Sequence, residues 1–81
     1  MNRVFLLLYQ TDILRRHTID CLVSIDREGM LERMDNANLS DEWHCWIEEY
    51  KVQARVFEGK CKGARVWVEN NIPEARKKDV N

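Results

Sequence analysis

Proline occurs only once in this sequence and glycine only three times, and none of the glycines belongs to a phosphate-cradling loop. Cysteine is also sparse: three residues cannot all pair within one chain, and Cys21, Cys45 and Cys61 lack a CxxC or other short metal-ligand spacing. A reduced, intracellular protein is the simplest reading. Long hydrophobic runs are missing too. The apolar stretch at 4–9 is too short for a membrane span or a signal-peptide core, and no small-residue cleavage site follows it. No membrane partner is expected, and the cytoplasm is the expected compartment. Neither charge dominates, and a net charge of −1 argues against a protein governed by nucleic-acid or membrane electrostatics. Repeats and low-complexity tracts are absent as well.

What is present is a chain of 81 residues with globular composition, 44% hydrophobic and 33% charged. That is room for one small domain, near the lower limit for a self-sufficient core. The charge is divided along the sequence. Residues 26–49 carry eight acidic and two basic side chains, a balance of −6, whereas residues 51–65 carry five basic and one acidic, a balance of +4.

The strongest periodicity runs over residues 40–60. Trp43, Ile47, Tyr50, Ala54, Phe57 and Cys61 recur at alternating steps of four and three, which predicts one buried face of an amphipathic helix. Ser40 suits its N-cap, Gly59 its C-terminal end, and acidic residues precede basic ones as the helix dipole favours. Elsewhere, residues 3–10 read as a central strand, 11–16 as a loop, and 18–26 as an alternating, half-buried strand. Residues 26–29 have hairpin-turn chemistry, and 30–34 return as a short third strand. Ala64, Val66 and Val68 alternate with Arg65, Trp67 and Glu69 over a final strand that pairs with the first. The sum is an α+β two-layer fold, β-β-(β)-α-β, with one helix on three or four mainly antiparallel strands. Residues 1–70 form the domain and 71–81 a mobile, polar tail.

No catalytic constellation stands out, so a non-enzymatic protein without cofactor or metal is expected. His44 and Cys45 are adjacent and diverge by about 100° on a helix, which argues against a zinc pair. Trp43 belongs to the core, while Trp46 and Trp67 divide between core and binding roles, because a single helix leaves one sheet face without a partner. Opposite the main stripe, Cys45, Val52 and Val56 line up at roughly 180° to 220° from Trp43, a second apolar line rimmed by Asp41, Glu48, Glu49 and Arg55. This line is the expected contact with a partner protein or with a second copy of the chain. Either it serves that role or the segment around Ile72 folds back over it. A protein-interaction module follows, specifically an inhibitor or regulator that occludes host machinery, as phage and mobile-element genomes encode; that analogy rests on size and layout. The alternative is a small nucleic-acid-associated regulator using Arg15, Arg16, Lys60, Lys62, Arg65, Arg76, Lys77 and Lys78.

Overall fold

The computed structural model describes residues 3–13 and 16–75, with residues 11–13 and 16–18 described through their backbone alone. Among the described residues six elements follow one another: β1 (Phe5–Ile13), β2 (Arg16–Ser24), α1 (Arg27–Asn36), β3 (His44–Glu49), β4 (Ala54–Lys60) and α2 (Cys61–Asn71). The fold is α+β, a four-stranded antiparallel sheet in the order β2-β1-β3-β4 with two helices. The same β-β-α unit occurs twice, joined where β1 pairs antiparallel with β3, Leu7 opposite Ile47.

Alternation along the strands sorts the side chains. Phe5, Leu7 and Tyr9 of β1 and Cys45 and Ile47 of β3 are buried on one face. Met30 and Met34 of α1 and Cys61, Ala64 and Val68 of α2 cover them, with Ile72 completing the core. Val4, Leu6, Leu8 and the even-numbered residues of β3 point the other way, onto a sheet face that neither helix covers.

Several expectations are corrected. First, the helix over 40–60 is a β-hairpin, so the fold has two helices where one was expected, and neither lies there. Residues 50–53 form its turn, closed by the Gln53 N–H donating to the Tyr50 carbonyl at 3.2 Å. Gln53 has φ 51°, a left-handed conformation usually given to glycine, so the sequence carries no recognisable turn signal. Gly59 does not end a helix; it lies within β4, where a Cβ would stand 3.1 Å from the Phe57 ring. Replacing Gln53 by glycine is therefore expected to raise unfolding stability by about 0.5–1 kcal/mol, since left-handed backbone disfavours a Cβ. Chemical denaturation will measure it, and a loss of stability would contradict the turn.

Second, residues 30–34 lie in α1, not in a third strand. Asp26 is its N-cap, with extended φ −139° and its carboxylate accepting from the Gly29 N–H at 2.6 Å. Gly29 serves close approach, not positive φ: a Cβ there would lie 2.6 Å from Ser24 Oγ and 2.7 Å from Asp26 Oδ1. Asn38 (φ 54°) ends the helix, its N–H donating to the Asp35 carbonyl and the Leu39 N–H to that of Met34. Third, residues 64–69 belong to α2, not to a strand paired with β1. Its buried residues Cys61, Ala64 and Val68 are spaced by three and four, while Val66 is 54% exposed. The expected loop at 11–16 is replaced in part by strand, since β1 reaches Ile13 and β2 begins at Arg16.

The segment after α2 is also corrected as far as it is described. Ile72 is fully buried, the Pro73 carbonyl accepts from the Arg27 N–H at 2.8 Å, and the Ala75 N–H donates to Glu28 at 2.8 Å. Residues 72–75 therefore belong to the folded unit. The expected mobility of 76–81 concerns residues outside those described.

Candidate protein-binding face

The uncovered face is built from the outward positions of all four strands. Its registers form rows across the sheet: Glu58, Trp46, Leu8 and Cys21 in one, and Arg55, Glu48, Leu6 and Val23 in the next. Ile19 lies beyond them, opposite Gln10. Each row therefore passes from charge at β4 to apolar surface at β2. Ile19 is 53% and Val23 46% exposed, Cys21 is exposed, and Leu6 and Leu8 are half-buried between them and β3.

The polar half is internally connected. The Arg55 guanidinium lies over the Trp46 ring, 4.9 Å from its centroid, and donates to Glu58 at 2.9 Å. Trp46 Nε1 donates to Glu48 at 2.9 Å, and His44 Nε2 lies 3.3 Å from the second oxygen of Glu58. These contacts hold the Trp46 side chain in place and satisfy its indole donor, leaving the ring as a fixed half-buried surface. The Arg55 hydrogen bond is the main influence holding Glu58 below the ordinary carboxylate range. Burial first and the Glu48 charge second push the Cys21 thiol up, so it remains a neutral, apolar group on this face at physiological pH.

The residues expected from the sequence to bind a partner are thus dispersed. Trp46, Glu48 and Arg55 meet on the open face. Cys45 is fully buried on the opposite side of β3, Val52 is at the exposed hairpin turn, and Val56 is the extra residue of a β-bulge, packed against the core. The second apolar line does not form, because the 100° step that produced it does not apply to a strand. Trp67 is on α2, half-buried, its ring 6.0 Å from that of Phe5 in an edge-on contact. His44 and Cys45 point to opposite faces of β3; the Cys45 thiol meets that of Cys61 in the core.

Glu49 has a structural partner. Although on the core-facing side, it receives two hydrogen bonds from the Arg3 guanidinium, both 2.7 Å. The Arg3 hydrogen bond, opposed by partial burial and assisted by charge attraction, holds its carboxyl below the ordinary range. A depressed folded-state pKa contributes stability above the unfolded value, which is lost as pH falls through the folded value. Stability of the wild type should therefore fall more steeply than that of Glu49→Gln as pH drops below the ordinary carboxylate range. Urea unfolding at several acidic pH values measures this difference, and parallel profiles would contradict it.

The described basic candidates have acidic neighbours: Lys60 lies 2.8 Å and Lys62 3.5 Å from Glu42, and Arg65 lies 3.0 Å from Asp35. Arg15, Arg76, Lys77, Lys78 and the side chain of Arg16 lie outside the described residues. Comparison with protein-family models, curated proteins and solved structures finds no match to this chain. Among the described residues, no helix is long and apolar enough to cross a membrane.

The contribution of β1 and β2 to this face was missed in the sequence because the alternation of residues 18–26 does not say which side is covered. The available signal was Asp20 and Ser24 alternating with Ile19, Cys21 and Val23. It pointed the wrong way, since the polar set faces the helices.

Proposed function

We propose that this chain is a small, non-enzymatic protein-interaction module that docks its uncovered sheet face on a partner protein and occludes part of that partner's surface. As an inhibitor or regulator it acts by steric exclusion, with no chemistry of its own, and works in the cytoplasm, where its thiols stay reduced. The observation that supports this reading is the contiguous apolar strip of Leu6, Leu8, Ile19, Cys21 and Val23, bordered by Trp46 and its charged neighbours. Contiguous apolar surface rimmed by polar groups is the usual composition of a protein-binding site, and a ring held in place loses little entropy on docking.

The test is affinity capture from the native host followed by reconstitution with the captured protein. Leu8→Lys and Trp46→Ala, each checked for folding by circular dichroism, are expected to weaken binding at least tenfold. Val52→Lys, at the exposed hairpin turn, is expected to bind as wild type. Undiminished binding by both folded face variants would overturn the proposal.

A further inference from the structure

The two edges of the sheet differ in a way that bears on the docking face. Exposed strand edges invite pairing with other chains, and proteins commonly block them with bulges, charges or lysine. The β4 edge has these devices: a bulge at Val56, then Arg55, Glu58 and Lys60. The β2 edge is less protected: between Thr18 and Ser24 the ladder is regular, without a bulge or lysine, and Asp20 is the only charge. Its outward side chains Ile19, Cys21 and Val23 are apolar and exposed.

We infer that two copies of the chain join through antiparallel β2 edges and that the joined sheet completes the docking face. The inference rests on the open face being the docking surface. A two-fold axis through paired edges must lie perpendicular to the sheet and pass beside one residue, because directly opposed residues share a face. Centring on Asp20 sets two carboxylates directly opposite each other, which is unfavourable. Centring on Cys21 avoids this: Ile19 then stands opposite Val23 of the second copy, Asp20 opposite Leu22, and Thr18 opposite Ser24. All of Thr18–Ser24 is paired, and the most exposed apolar residues of the strand cover one another.

This arrangement also changes the composition of the open face. In one copy the apolar strip lies at the edge of the sheet, with a charged border only on the β3–β4 side. In the joined sheet the two strips become one central area, flanked on both sides by the Trp46, Glu48, Arg55 and Glu58 network. An apolar centre within a polar rim is the anatomy of a protein interface. The partner copy thus supplies half of the site.

Sedimentation equilibrium of the full chain tests the association without any partner. The expected result is a two-chain mass that reverts to one chain in Cys21→Lys, with unchanged circular dichroism, because two lysines would then face each other across the axis. Cys21 is the exposed cysteine, whereas Cys45 and Cys61 are buried. Mild oxidation with copper-phenanthroline in air should therefore give a covalent dimer through Cys21. Moving the thiol with Ile19→Cys in a Cys21→Ser background sets the two sulfurs about 13 Å apart along the strands, so that dimer should not form. A single-chain mass for the wild type at all concentrations, or equal crosslinking from positions 19 and 21, would overturn the inference. The docking proposal fails separately, if Leu8→Lys stays dimeric and still binds the captured partner. A monomer that binds the partner through this face would overturn the two-fold pairing while leaving the docking proposal intact.

Discussion

Truncation of Ile47 to alanine is expected to lower unfolding stability by about 2–5 kcal/mol, the range for large-to-small changes at sites that cannot collapse. Ile47 is fully buried at the middle of β3, between Leu7 of β1 and Phe57 of β4, on the face beneath the helices. Every direction in which the cavity could relax is occupied by a strand or helix. The companion substitution Tyr50→Ala separates the hairpin from a helix. On a helical stripe Tyr50 would share the buried face with Ile47; at the turn it is 61% exposed, so its truncation should cost within about 0.5 kcal/mol. Urea unfolding of both variants decides the matter. Comparable losses at the two positions would contradict the hairpin, and an unchanged midpoint for Ile47→Ala would remove it from the core.

The layer arrangement was legible from the sequence, but the identity of several elements was not. β1 is recognisable because its apolar residues follow one another without breakers, and its place inside the sheet agrees with that run. The β3–β4 hairpin has the sequence pattern of a helix because three strand signals are obscured. Glu49 occupies a core-facing position through its bond to Arg3, Trp46 occupies the open face under Arg55, and Gln53 stands where a turn would usually show glycine. Each substitutes a tertiary contact for a local preference, and a sequence pattern reports only the local preference. The bulge at Val56 then shifts the alternation by one residue, bringing Phe57 and Cys61 into apparent helical phase with Ile47.

The two real helices were obscured for a different reason. In α1 the core positions are Met30 and Met34, a single four-residue step with little surrounding amphipathicity. In α2, Val66 and Trp67 add bulk beside the buried Ala64 and Val68, so a two-residue alternation competes with the helical spacing. The Asp26 cap is visible within the turn former at 26–29, but a turn former before an apolar segment begins either a hairpin or a helix. Of the open face, the sequence points to Trp46, Glu48 and Arg55, although by a helical argument. Their meeting depends on the cross-strand register, which sets Trp46 opposite Glu58 and Glu48 opposite Arg55.

The segment following α2 provides the second large effect. Ile72 is fully buried, its N–H donates to the Val68 carbonyl at 3.2 Å, and its own carbonyl accepts from Arg27 Nε at 3.1 Å. One residue later, the Pro73 carbonyl accepts from the Arg27 backbone N–H, a donor at the start of α1 that has no partner within its own helix. Burial of one side chain therefore positions the carbonyl that completes the beginning of the other helix. Ile72→Ala is expected to cost about 2–5 kcal/mol by loss of packing, and to speed hydrogen exchange at the Arg27 amide beyond what the loss of global stability explains. Pro73→Ala leaves the backbone carbonyl in place and should preserve that protection. Exchange at Arg27 in Ile72→Ala that follows global stability alone would show that the two helices are joined only through the core, and that the carbonyl contact adds nothing of its own.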